Sequence, residues 1–180
     1  MSPYALFLVS GLFPWIWTSA SALEGSMSLV SNSGLIRKAV FPAELLPMVA
    51  VLSNLVHFLF ALPIVIVALV TGRMLGFPVG GVSALALPAI ILLHLPMVSG
   101  LAMGVSALTV HFKDVGDLLG NLLTLWFFAT PIIYHYETLK EYKGLLDANP
   151  FTHLAISYQE ILFFDGPFGH WKWLLALGAG

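Results

Sequence analysis

The side chains best suited to proton or metal chemistry are six histidines and nine carboxylates, in a sequence that has no cysteine. His111 and Asp114, three apart in a short polar hinge, have the spacing of an acid/base pair. Nothing beside them supplies a nucleophile or an oxyanion donor, so the pair does not amount to a catalytic site. His135, Glu137, Glu141 and His153 form a looser group that a membrane-bound glycosyl- or acyltransferase could use. They read more simply as the solvated faces of short helices. The sequence contains no GxxxxGK[ST], HExxH or GxSxG string and no cluster with metal-ligand spacing. It therefore carries no P-loop for a nucleotide and no expected site for a metal or cofactor. Asn54 and His57 lie three apart and so on one helical face. In an apolar stretch without carboxylates they fit an interhelical hydrogen bond better than a proton relay. His94 reads as a polar contact within the core.

A different chemistry is written in the aromatic residues. Gly11, Trp15, Thr18, Ser19 and Ala22 fall on one helical face, and Asn121, Thr124, Leu125, Phe128 and Ile132 fall on another. Faces that mix aromatic with small polar groups are odd against lipid. They suit a channel in which sugar rings slide over aromatic surfaces and exchange hydroxyl hydrogen bonds. The competing reading is an aromatic belt at the headgroups, favoured for Trp17 and Tyr136.

The elements that must position these residues are membrane helices. Of the 180 residues, 59% are hydrophobic and 9% charged, against about 25% charged in soluble domains. Mean hydropathy is +0.95, so lipid must be the solvent for most of the chain. Four stretches reach the roughly 20 apolar residues that cross a bilayer: Tyr4 to Leu23, Leu45 to Thr71, Val82 to Val110, and Leu118 to Tyr134. A fifth begins at Trp171 and stops with the sequence. Continuous apolar runs argue against barrel strands, which alternate. The fold class is thus an all-α polytopic membrane protein. Met1 to Leu23 lacks the basic start of a signal peptide, and no basic patch suits nucleic acid.

Between the spans, residues 24–44 are too polar to cross. Ser26 is placed to cap a short helix, and Arg37 and Lys38 stand together before Phe41-Pro42. This segment suits an interfacial helix or a docking element for a cytoplasmic partner. Pro63 is placed to kink the second span. Gly100 and Gly104, in GxxxG spacing, predict close helix packing in the third. The hinge at 111–117 is so short that the third and fourth spans must be antiparallel neighbours. After Thr130-Pro131-Ile132-Ile133-Tyr134 the chain turns polar and amphipathic. Thr138 and Glu141 have capping-box spacing, and Asn149-Pro150 is an N-cap followed by a first-turn proline. The two short pieces on either side are expected to lie at the surface or to dip in and return. Basic residues number three on one side of the membrane and four on the other, which leaves orientation open.

These strings, in this order, resemble the permease subunits of type-2 ABC exporters, in the branch that exports O-antigen, capsule and teichoic acid chains. Gly11-Leu12-Phe13-Pro14-Trp15 is similar to the opening of that family's second span. The segment from Ser31 to Pro42 resembles its cytoplasmic loop before the third span. Phe112-Lys113-Asp114-Val115 is similar to its Tyr-Arg-Asp-Val turn, with the first two residues replaced conservatively. Thr130 to Tyr134 and Asn149-Pro150 resemble the end of its fifth span and its re-entrant segment.

The resemblance implies a single transmembrane domain over 1–180, with the family's first span absent and its last cut short. It implies a cytoplasmic coupling loop at 24–44, with Ser31, Asn32, Arg37 and Lys38 facing an ATP-binding subunit, and a periplasmic re-entrant pair within 135–170. It implies a homodimer in the bacterial cytoplasmic membrane that moves a lipid-linked glycan past Trp15, Thr18, Ser19, Asn121, Thr124 and Phe128. ATP and magnesium would belong to the partner. Same-fold export of drugs or lipids, and a purely structural assembly role, are the alternatives.

Overall fold

In the computed structural model, residues 3–38, 42–77, 79, 81–112, 114–136, 138, 143–164 and 172 are described. Helix α1 runs Pro3–Ser31, α2 Ser33–Lys38, α3 Leu45–Met74, α4 Leu87–His111, α5 Val115–Ala129, α6 Lys143–Asp147 and α7 Pro150–Gln159. A 3₁₀ turn, Val82–Ala86, leads into α4, and a π-helical turn, Glu160–Phe164, follows α7. Among the described residues every regular element is helical, consistent with the expected polytopic membrane architecture. Helix α1 is its centre and packs on α3, α4, α5 and α7.

Three stretches are long and apolar enough to cross a bilayer: Tyr4–Ser31, Leu45–Met74 and Val82–His111. The second and third bury only a narrow stripe, whereas more than half of the first is buried. In α3 the buried positions Val51, Asn54, Phe58, Leu62, Val65 and Leu69 recur every three or four residues, the spacing of one helical face. Phe60, Ile64 and Val67 on the other side stand open. An exposed apolar flank that long is stable only where lipid replaces water.

Two boundaries differ from expectation. The first span does not stop at Leu23: α1 continues unbroken to Ser31. Its polar residues fold back on their own helix, with Ser26 donating to Leu23 O at 2.7 Å and Ser28 to Gly25 O at 2.7 Å. Hydroxyls satisfied this way need not end a helix. Ser26 accordingly caps nothing. Gly25 also lets α4 in close, since a Cβ there would sit 2.9 Å from Ala102 Cβ. The fourth stretch ends at Ala129, not Tyr134. Pro131 disfavours the helical conformation at Thr130, which is extended at φ −102° and ψ 137°. The 15 residues of α5 rise about 22 Å at 1.5 Å each, short of roughly 30 Å of hydrocarbon. Four complete spans were expected; among the described residues three helices have the length. The fifth stretch, from Trp171, and the capping box at Glu141 lie outside the described residues.

Gly100 and Gly104 do not mediate packing among the described residues, because a Cβ on either would meet nothing within 4 Å. The close approach of α4 to α1 lies instead on the opposite side of α4, at Ala102.

Candidate functional site

Asn149 holds the corner where α5 gives way to α7. Its Oδ1 accepts the Phe151 amide at 3.0 Å, capping α7, and the Trp126 indole N–H at 2.9 Å. Its amide nitrogen donates to Thr130 Oγ1 at 3.1 Å. The Thr130 hydroxyl in turn donates to Trp126 O at 2.8 Å, taking up one of the carbonyls left open at the end of α5. At the far end of α7, Gln159 Nε2 donates to Pro131 O at 2.9 Å. A Cβ on Gly11 would stand 2.9 Å from that nitrogen, so α1 passes here as glycine. The Thr130-Pro131-Ile132 turn is therefore gripped from both ends of α7.

Helix α7 is enclosed on every side, with all of Phe151 to Gln159 buried. This piece was expected to lie at the surface or to dip in and return, with His153 on a solvated face. Thr152, His153, Ser157 and Gln159 do not reach solvent. Instead most of these polar groups find partners inside. His153 Nε2–H donates to Asp147 O at 3.0 Å, and Ser157 Oγ donates to His153 O at 2.7 Å. Phe151 packs edge-on against Trp126 and Trp15, with ring centroids 4.8 and 5.5 Å apart.

A second network joins α1, α4 and α7. Thr18 Oγ1 donates its one proton to Pro14 O at 3.0 Å. Its oxygen therefore accepts from His94 Nε2–H at 2.8 Å. That leaves His94 Nδ1 to accept from the Tyr158 hydroxyl at 3.3 Å. The edge of Trp17 completes the enclosure, 4.3 Å from the imidazole. His94 is thus the polar core contact expected of it, held as a neutral ring with both nitrogens occupied. Asn54 also bridges helices, but its partner is Glu24 Oε2 at 2.7 Å. His57 is exposed on α3 and takes no part. The Glu24 partnership was missed because α1 was expected to end before it. The available signal was the lack of any proline between Leu23 and Ser31.

The six residues read as lining a conduit do not share one surface. Trp15, 8% exposed, is packed between Phe127 and Phe151. Thr18 is fully enclosed in the His94 network. The space among Gly11, Trp15, Ile132 and Phe151 is about 10 Å³, against roughly 300–1,000 Å³ for small-molecule sites. A sugar ring has no room there. Ser19 is half-buried and donates to Ile16 O at 3.2 Å. Asn121, Thr124, Leu125 and Phe128 do share a face, and it is the open face of α5. Ile132, expected with them, is buried. An exposed asparagine amide is costly against hydrocarbon, so this face belongs against protein or a water-filled path.

At the other end of the bundle, Ser31 closes α1 and Asn32 turns the chain, its side-chain amide donating to Ser28 O at 2.9 Å. Arg37 and Lys38 close α2. A cavity of about 540 Å³ opens beside α2, lined by Leu29, Val30, Ser33, Ile36, Thr109 and Val110. His111 and Asp114 are both exposed, and His111 Nδ1–H is committed to Ala107 O at 3.0 Å. Among the described residues no three histidine or acidic side chains converge as metal ligands. Beyond Pro131, partial burial pushes the Tyr134 phenol up, keeping it a donor, and it reaches Phe128 O at 3.4 Å.

Residues 5–163 match the family model described as ABC-2 type transporter. The chain is 35% identical over 164 residues to the O-antigen export system permease protein RfbA of Myxococcus xanthus, covering 89% of this chain and 61% of that one. Two proteins of the same description from Klebsiella pneumoniae are 30% and 29% identical over 168 residues, covering 91% of this chain and 62% of theirs. The chain thus spans about three-fifths of the length of these relatives.

Proposed function

The chain belongs to the ABC-2 type transporter family, and we propose that it forms part of the permease of an ATP-driven polysaccharide exporter. The observation that carries this reading is the open face of α5. Asn121, Thr124 and Phe128 combine an amide, a hydroxyl and an exposed aromatic ring in a helix otherwise built for lipid. Relatives named for O-antigen export make a lipid-linked glycan the substrate of choice. The path then forms where the α5 faces of two copies meet across a homodimer, rather than beside Trp15 inside one chain.

In this reading the protein sits in the bacterial inner membrane and carries out transport, with ATP and magnesium handled by a separate ATP-binding subunit. The α1–α2 corner, with Ser31, Asn32, Arg37 and Lys38, is cytoplasmic and docks that subunit. The cavity beside α2 offers it a recess. Helices α6 and α7 re-enter from the periplasmic side. The hydrogen bonds of Asn149 and Gln159 to Thr130 and Pro131 make α7 a fixed plug behind the α5 face. Rigid support of this kind holds Phe128 and Thr124 in register while substrate moves.

The test is export by the full-length permease with its ATP-binding subunit. Phe128→Ala and Thr124→Val, at equal membrane levels, should each lower surface glycan while ATPase co-purification stays normal. Normal glycan export by both variants would remove the α5 face from the path. Arg37→Glu with Lys38→Glu should instead reduce ATPase co-purification, and unchanged recovery would remove the α1–α2 corner from the docking site.

A further inference from the structure

Each of the three long helices carries a proline in its interior: Pro14 in α1, Pro63 in α3 and Pro96 in α4. A proline removes one donor from the helix ladder, and its ring presses on the carbonyl four residues back. Each helix therefore has one weak turn, between residues 10 and 14, 59 and 63, and 92 and 96. Packing brings these turns level. Leu6 meets Gly72 and Glu24 bonds to Asn54, so eighteen residues on along α1 are eighteen back along α3. Thr18 accordingly lies level with Phe60, inside the weak turn of α3, and its neighbour Trp17 stacks on Phe58. The Thr18–His94 bond sets the same level in α4, inside its weak turn. Pro14 stands one turn on the α7 side of Thr18, whose hydroxyl bonds to its carbonyl. The three weak turns thus meet in one layer across the bundle.

The halves on either side of this layer are held differently. Toward α7, Tyr4 Oη donates to Ile133 O at 2.9 Å, Gln159 packs against Gly11, and Ser83 Oγ donates to Ile161 O at 3.0 Å. These contacts tie the spans to α7 and the turns beside it. Toward the α1–α2 corner the contacts run between the spans themselves. Gly25 lies against Ala102, Glu24 bonds to Asn54, and Ser28 Oγ meets Ser106 Oγ at 3.3 Å. One end is anchored, and the other is joined into a unit of its own.

We infer that Pro14, Pro63 and Pro96 form a hinge layer, about which the corner-side halves of α1, α3 and α4 swing together while the α7-side halves stay fixed. A hinge needs only a few positions that absorb the dihedral change between two rigid bodies. From Thr18 to Ser31, α1 runs 13 residues, about 20 Å. A bend of about 20° at the layer carries Ser31 about 7 Å sideways. The Thr18–His94 bond at the pivot keeps α1 and α4 turning together. What drives the swing rests on the proposed function: ATP binding in the partner subunit, delivered at the α1–α2 corner. The layer itself does not depend on that reading.

Spin-label distances in the full-length permease, with its ATP-binding subunit in lipid nanodiscs, test the layer. Labelled permease is diluted with unlabelled copies, so that each pair reports one chain. Cysteines replacing Val49 and Leu85 carry a pair that spans the layer. Those replacing Val49 and Leu108 carry a pair on its corner side; all three positions are exposed. Without nucleotide, the Val49–Leu85 distribution should be broader than the Val49–Leu108 one. ATP should shift the mean of the first by roughly half of the swing, about 3 Å, and leave the second in place. Pro63→Ala with Pro96→Ala restores both ladder donors. It should narrow the first distribution to the width of the second, with Tm at or above the parent's. If the pair does not fold, each single variant carries the same test. Equal widths in the parent, or a width that alanine leaves unchanged, overturns the hinge. An ATP-induced shift as large for Val49–Leu108 as for Val49–Leu85 means that the halves do not move as a unit, and overturns it too. A broad distribution that narrows with alanine but ignores ATP keeps the hinge and refutes the ATP-driven reading.

Discussion

Replacing Asn149 with alanine tests the corner on which the α5 end and α7 both depend. The substitution removes the N-cap acceptor for Phe151 N, which costs about 1 kcal/mol. It also leaves the part-buried Trp126 indole N–H, now bonded at 2.9 Å, without its acceptor, at about 1–3 kcal/mol. The sum is about 2–4 kcal/mol. For a chain of this size 1 kcal/mol moves Tm by about 2–4 °C, so the loss should be roughly 4–16 °C. Asn149→Asp separates the two roles of the side chain. The carboxylate still accepts from Phe151 N and Trp126 Nε1 but can no longer donate to Thr130 Oγ1, so it should fall between the parent and alanine. Thermal unfolding in mild detergent, followed by tryptophan fluorescence, measures all three proteins. An alanine variant within 1 °C of the parent, or an aspartate variant as unstable as alanine, would refute the assignment of these bonds.

Trp15→Ala should lower stability by about 3–5 kcal/mol, the usual range for a large aromatic in a core, because Trp15 packs on Phe127 and Phe151; an unchanged Tm would put its ring outside the core. Gly25→Leu should force α1 from α4 at a cost of about 1–3 kcal/mol, since its Cβ would crowd Ala102 at 2.9 Å. Gly104→Ala, with open space around it, should leave Tm unchanged or raise it by helix propensity, up to about 1 kcal/mol; both are read by the same melt. Asn54→Leu deletes the donor to Glu24 Oε2 and should cost about 0.6–2 kcal/mol, the range for interhelical hydrogen bonds in membranes; no loss of stability would make the contact incidental.

Much of the helical content was legible in apolar runs alone, because in lipid a backbone must satisfy its own hydrogen bonds. Asn149-Pro150 was legible for a local reason: an acceptor side chain followed by a ring with helical φ starts a helix wherever it stands. His94 was legible because a lone imidazole in an apolar run needs partners. Where α1 ended was not, since Ser26, Ser28 and Asn32 look like loop residues until their side chains are seen bonding back to the helix. The burial of α7 was not legible either, because Thr152, His153, Ser157 and Gln159 carry the same polarity whether they meet water or other protein groups.

The sequence by itself determined that this chain is a helical membrane protein, roughly where its spans lie, and where the Thr130-Pro131 break must fall. Those properties follow from hydropathy and from backbone chemistry within a few residues. Only the tertiary structure decided which side of each helix faces lipid, which faces its neighbour and which stands open. Lipid and protein interior are equally apolar, so a membrane helix carries little periodic mark of its inner face. Trp15 and Phe128 looked alike as conduit residues, yet one is locked behind Phe151 and the other is 62% exposed on α5.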